Sequence, residues 1–197
     1  MLRAAPLPAR FCFRRPRGAT PLTSSPAAPA KTYRYYWEDF PAGQVREFGA
    51  MLVTREASLA FAREFDPQPF HLDDDAARAS LFGGLSASGW HTCAMAMRMM
   101  CDAYLLESAS LGSPGIDELR WLKPVFPGDT LRARLEVLEA RPMASRPGVG
   151  LVRSMWLVSN QNGQAVLSMK GWGMYRRRPA PAAATAAPSD PPAPGAA

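Results

Sequence analysis

From Gly89 to Leu106 the chain is apolar on nearly every face of a helix, with Trp90, Cys93, Met95, Met97, Met99, Met100, Tyr104 and Leu105 spaced around it. His91, Arg98 and Asp102 interrupt the run, so it is not a membrane span. A helix without a wide polar face must be buried on most sides rather than lie on a surface. The spacing predicts that it continues to about Glu107. The fold therefore has to supply something that wraps around it, and the methionines suit that role because their flexible thioethers fill irregular gaps.

The wrapping material follows directly. Thr130–Ala140 alternates Leu131, Ala133, Leu135 and Val137 with Arg132, Arg134 and Glu136, which is the period of a half-buried strand. Ile116–Val125 is expected to be a strand ending at the turn Phe126-Pro127-Gly128-Asp129, where Gly128 and Asp129 read as turn residues. Gly150–Ser159 and Ala165–Tyr175 are two more strands, separated by Asn160-Gln161-Asn162-Gly163, and Asn-Gly is a strong hairpin signal. Upstream, Gln44–Val53 is a short strand. Thr54 caps a helix over Arg55–Phe65, and a second short helix runs from Asp73 to Ser80. Asp73, Asp74 and Asp75 favour the positive end of that helix. Neighbours in sequence do not share a helix face, so these three do not converge on a metal. The layout is α+β: an antiparallel sheet wrapped around a long central apolar helix.

The folded part predicted in this way is a single domain over residues 33–178. Residues 1–32 and 179–197 are rich in Pro and Ala, repeat no apolar period and are expected to be disordered. The net charge of +6 is concentrated outside the domain. Residues 1–37 hold seven basic and no acidic side chains, whereas residues 38–175 hold 13 basic and 16 acidic ones. That distribution argues against a nucleic-acid-binding surface. The basic N-terminal extension has the composition of a transit peptide to the mitochondrial matrix; the equally Ala/Pro-rich C-terminus favours a plain extension and a cytoplasmic protein. Cys12, Cys93 and Cys101 form no metal or redox pattern, and Cys93 and Cys101 would lie about 12 Å apart along one helix. A reducing compartment fits that usage.

The chemistry is concentrated in Phe65-Asp66-Pro67-Gln68-Pro69-Phe70-His71-Leu72-Asp73. Two prolines fix their own φ and push the residues before them towards extended geometry, so this segment is a stiff connector and not a continuous helix. It carries an acid at Asp66 and an imidazole at His71. Stiff loops bearing ionisable groups are frequent homes of catalytic residues. His91, two residues into the apolar helix, reads as a packed or supporting histidine.

Three separated stretches resemble the MaoC-like (R)-specific enoyl-CoA hydratases and acyl dehydratases, a family with the hot-dog fold. Phe61 to Asp73 is similar to the family's Asp-x-Asn-Pro-x-His-x-Asp signature. Leu81-Phe82-Gly83-Gly84 followed by Ser88-Gly89-Trp90 stands where the family has His-Gly-Met opening its central helix. Lys123-Pro124-Val125-Phe126-Pro127-Gly128-Asp129-Thr130-Leu131 is similar to its Pro-Val-x-x-Gly-Asp turn. The departures are Gln68 for Asn, Phe65 for Gly and Ser88 for His; none removes the acid, the imidazole or the backbone donor.

The resemblance implies reversible hydration of an enoyl-CoA to a 3-hydroxyacyl-CoA. Asp66 and His71 would activate water, and the backbone N–H of Gly89, at the positive end of the helix, would bind the thioester oxygen. An unperturbed histidine pKa of about 6.5 allows both protonation states near neutrality. No metal or redox cofactor is implied: CoA, or the phosphopantetheine of an acyl carrier protein, arrives as part of the substrate. Alternatives on the same fold are an acyl-CoA thioesterase, which uses a carboxylate on the helix, and a non-catalytic acyl-thioester-binding subunit. Trp90, Met95 and Met97 suit an acyl pocket or the core equally well. Arg98, Arg120 and Lys123 are candidates for the nucleotide phosphates. Family members generally form dimers or larger sets with sheets joined at their edges, so a homodimer is expected.

Overall fold

The computed structural model describes residues 31–179. The extensions expected at residues 1–32 and 179–197 lie outside these, save for residues 31, 32 and 179. The unit that begins at Tyr33 contains β1 (Val45–Leu52), α1 (Arg55–Phe65), α2 (Asp74–Ala79), α3 (Gly89–Met100), β2 (Ser110–Trp121), β3 (Thr130–Pro142), β4 (Val149–Ser159) and β5 (Ala165–Arg176). All neighbouring strands are antiparallel, in the order β1-β3-β4-β5-β2. This is a hot-dog fold of the α+β class, with α3 held against one face of the sheet.

The alternation read from the sequence places the core. Leu131, Ala133, Leu135 and Val137 of β3 are buried, and with Val152, Val158, Val166, Leu167 and Met169 they receive Met95, Ala96, Met99 and Met100 of α3. Beyond Met100 the helix widens into a π turn, Cys101–Leu105. That turn aims Tyr104 into the sheet, where its hydroxyl accepts from Trp156 Nε1 at 3.2 Å. Desolvation pushes the Tyr104 phenol up to about 12, so the ring stays neutral and serves the core.

Two expectations need correction. The central helix is not buried on most faces: Trp90 is 58% and Met97 50% exposed. The five-stranded sheet covers one side of the helix and Phe61 of α1 stacks on His91, but together they leave Trp90 and Met97 exposed. The strand expected at Ile116–Val125 instead spans Ser110–Trp121. Its first half, Ser-Leu-Gly-Ser-Pro-Gly, has the composition of a loop, but β2 is an edge strand whose pairing with β5 is irregular around Gly112 and Gly115. Edge strands and bulges accommodate Gly and Pro that a central strand would not.

The connections hold as their sequences indicate. Thr54 Oγ1 accepts from the Ala57 amide at the start of α1, and Asp73 Oδ1 accepts from Asp75 and Ala76 at the start of α2. Asp74 pairs with Arg55 and Asp75 with Arg78. Asp129 Oδ2 accepts from the Phe126 amide at 2.9 Å, and its Oδ1 from Gln161 Nε2 at 2.9 Å. Past β5, the Arg178 guanidinium bonds Asp39 Oδ2 at 2.6 Å, and Arg177 lies over the Trp37 ring. These contacts fasten the aromatic lead-in to the end of the sheet.

Since Leu135 is 1% exposed at the centre of this packing, Leu135→Ala leaves a cavity that a close-packed sheet cannot collapse. It should lower unfolding free energy by about 2–5 kcal/mol, measurable as a lower urea midpoint with an unchanged slope.

Candidate active site

Helix α1 ends because Pro67 disfavours helical geometry at Asp66, whose backbone is non-helical (φ −148°, ψ 65°) while its amide still bonds the Ala62 carbonyl at 3.0 Å. The acid is thereby presented at a helix end. Pro69–His71 then forms one 3₁₀ turn, in which the His71 amide bonds the Gln68 carbonyl at 2.9 Å. The stiff connector thus turns the imidazole back towards the carboxylate. His71 Nε2 and Asp66 Oδ2 lie 3.5 Å apart.

His71 is 6% exposed. Its Nδ1 lies 2.9 Å from the Ser86 carbonyl. A carbonyl only accepts, so Nδ1 carries the proton and Nε2 presents its lone pair on the Asp66 side in the neutral ring. Phe70 meets the imidazole edge-on at 4.6 Å, and Phe82 lies nearly parallel to it at 6.2 Å. These rings fix its plane.

The carboxylate is held at both oxygens. Gln68 Nε2 donates to Oδ1 at 2.7 Å and Ser88 Oγ donates to Oδ2 at 2.7 Å. Burial pushes the Asp66 carboxyl up, but the bonds from Ser88 and Gln68, together with the charge His71 can carry, outweigh it and leave the acid below the usual carboxylate range. Gln68, which stands where the resembling family has Asn, therefore grips the acid itself. Ser86 and Ser88 are the site residues that the sequence did not disclose. The available signal was that Ser88 directly precedes a helix, which marks it as a cap but not as a partner of Asp66.

Asp66, His71 and Gly89 line one cavity of about 410 Å³, together with Phe82, Trp121 and Val125. The Val125 carbonyl accepts from the Ala87 amide at 2.8 Å, tying the exit of β2 to the approach of α3. Gly89 is the first residue of α3, and first-turn amides have no intrahelical acceptor. The arrangement therefore juxtaposes a proton acceptor, a fixed carboxylate and a free amide around an apolar-walled space. That combination suits addition or removal of water next to a carbonyl.

Of the other candidates, His91 is buried, stacks on Phe61 at 4.9 Å and leaves Nδ1 without a hydrogen-bond partner. Burial pushes its pKa down, in keeping with a packed, neutral ring. Met95 belongs to the core, while Trp90 lines the cavity. Arg98 pairs with Asp102 and Arg120 with Glu118; Lys123 lines the cavity.

The sheet and the helix held against it are those of a hot-dog domain. Residues 39–160 match the MaoC like domain, and the chain belongs to that family of hydratases and dehydratases. A MaoC-like dehydratase from Rhodospirillum rubrum is 42% identical, with a TM-score of 0.69 over 74% of this chain and 99% of its own. The (R)-hydratase PhaJ1 of Pseudomonas aeruginosa is 25% identical, with a TM-score of 0.60 over 75% of this chain and 89% of its own. A mesaconyl-CoA hydratase of Cereibacter sphaeroides is 51% identical over 73 residues, which are 34% of this chain and 21% of that protein.

One contact at the site is unusually close. A Cβ built on Gly89 would lie 2.6 Å from Trp121 Nε1 and 2.7 Å from its Cε2. The indole, which also meets Trp90 edge-on at 5.2 Å, fills the space that the missing side chain leaves. Gly89→Ala should therefore be destabilising by about 1–3 kcal/mol through overpacking. Adding Trp121→Ala should recover most of that loss, a coupling that thermal unfolding of the two single variants and the double variant would reveal.

Proposed function

We propose that the chain reversibly hydrates an enoyl-CoA to a 3-hydroxyacyl-CoA. The observation that carries this reading is the pairing of His71 Nε2 with Asp66 Oδ2 at 3.5 Å in the cavity that Gly89 also lines. Two acceptors at that spacing suit a water that donates one hydrogen bond to each, turning its oxygen lone pair towards the substrate. As the water oxygen bonds to the β carbon, its proton passes to Nε2 and the double-bond electrons move on to the thioester oxygen. The Gly89 amide stabilises that developing charge, as donors of this kind do by about 3–4 kcal/mol. The imidazolium then returns its proton to the α carbon, so one water has been added in full.

CoA enters as part of the substrate, a reading supported by the stretch shared with the mesaconyl-CoA hydratase. Phosphopantetheine on a carrier protein would present the same thioester. The thioesterase alternative wants a carboxylate on the central helix beside the cavity; Gly89–Met100 contains neither Asp nor Glu, and Asp102 in the π turn pairs with Arg98 away from the cavity lining.

A homodimer completes the proposal. Among the described residues the outer edge of β2 has no partner strand, and Leu111, Ile116 and Trp121 along it, with Trp90 and Met97 of α3, are exposed. An apolar edge of this kind is suited to a second copy.

Following the loss of enoyl-thioester absorbance over short, long, branched and dicarboxylic enoyl-CoAs tests the reaction. Asp66→Asn and His71→Ala should each lower turnover by about 100- to 10,000-fold, with unfolding midpoints near that of the unsubstituted protein. Light scattering should give a mass of two chains for all three proteins. Full activity in both variants would overturn the roles assigned, and release of free CoA without consumption of the double bond would select the thioesterase.

A further inference from the structure

Ser88 is fully buried, at 0% exposure, between the two elements the proposed reaction needs to keep in register. Its Oγ accepts from the Trp90 amide at 3.2 Å and donates to Asp66 Oδ2 at 2.7 Å. Its carbonyl takes the Thr92 amide at 3.0 Å and Thr92 Oγ1 at 3.3 Å. A serine hydroxyl has one proton. The Trp90 N–H can only donate and an ionised carboxylate can only accept, so the direction of the Ser88 proton is dictated: it points at Asp66.

The oxygen that Ser88 holds is the one facing His71 Nε2. Gln68 reaches the other oxygen from the exposed side of the loop. With one donor the carboxylate could swing about its Cβ–Cγ bond; with a donor on each oxygen its plane is set. The same hydroxyl caps the first turn of α3, which directs the Gly89 amide. Ser88 does not reach the cavity wall, and its proton goes to Asp66 rather than to His71. It is therefore not placed to act as a nucleophile.

We propose that Ser88 is a positioning residue for the hydration: one buried hydroxyl fixes Asp66 Oδ2 opposite His71 and at the same time fixes the helix start that presents the Gly89 amide. This rests on the hydration reading and adds to it the element that registers the acid–imidazole pair to the amide donor. It also gives the serine at this position, where the resembling family has histidine, a function of its own.

The test separates capping from positioning. Glycine caps helices nearly as well as serine, so Ser88→Gly keeps the helix start and removes the bond to the carboxylate. Ser88→Gly and Ser88→Ala should lower kcat on the best enoyl-CoA by about 10- to 100-fold, the loss expected for a hydrogen bond to a charged group, with KM changed by less than about threefold. The acidic limb of the kcat/KM profile should move to higher pH, because Asp66 loses a bond that favours its ionised form. Ser88→Thr, which keeps the hydroxyl, should recover most of kcat. Titration of the Asp66 side-chain carbon by NMR in unsubstituted protein and in Ser88→Gly gives a readout without substrate, and the midpoint should rise in the variant. A Ser88→Gly protein with unchanged kcat and an unchanged Asp66 midpoint overturns the inference. An unsubstituted protein inactive on every enoyl-CoA overturns the hydration reading instead, and the NMR midpoint alone then decides whether Ser88 controls the carboxylate.

Discussion

The burial of α3 against the sheet is the interaction on which everything else depends. Met95, Ala96, Met99 and Met100 are buried in one cluster with the inward residues of β3, β4 and β5, and Met99 also lies over Gly49 of β1. Once α3 is seated, its N-terminus is fixed in space, and with it the free amide of Gly89 and the hydroxyl of Ser88. The connector bearing Asp66 and His71 reaches that same helix end, fastened by the Ser88–Asp66 and His71–Ser86 bonds. The site is thus built where a rigid packed element stops and a stiff loop begins, and its precision derives from the hydrophobic contact beneath it.

Much of this was legible in the sequence because the relevant signals are local. The alternation in Thr130–Ala140, the Thr54 cap and the break at Asp66-Pro67 each depend on neighbours a few residues away, and all of them appear in the structure. Proline chemistry alone placed an acid and an imidazole at the two ends of one bent segment. What the sequence left hidden depends on distance along the chain. Ser88 Oγ meets a carboxylate 22 residues earlier, and Trp121 packs on Gly89 from the far end of an edge strand. A serine before a helix announces a cap, and nothing in its immediate neighbours announces a second partner.

The two corrections have a common origin. The sequence predicts a helix buried on most faces and a strand over Ile116–Val125, where β2 spans Ser110–Trp121. Both judgements assumed that one chain supplies all the surroundings of its own residues. Trp90 and Met97 are exposed on α3, and Leu111 and Ile116 are exposed on β2, so the apolar character of each exceeds what this chain buries. Composition reports the total demand for burial, whereas the fold of one copy shows how much of it that copy meets. Part of the difference lies along one helix face and one sheet edge.

The bond from His71 Nδ1 to the Ser86 carbonyl has a consequence for reversibility. A carbonyl accepts from a neutral and from a protonated imidazole alike, so the contact survives both charge states of the ring. In the proposed hydration, taking a proton from water and returning one to carbon would need no rotation of the side chain, and the same would hold for the steps in reverse. A fixed imidazole of this kind confers no preference on either direction. In the proposed hydration, flux through such a site would follow the ratio of unsaturated to hydroxylated thioester, and the protein would act as an equilibrator between the two pools.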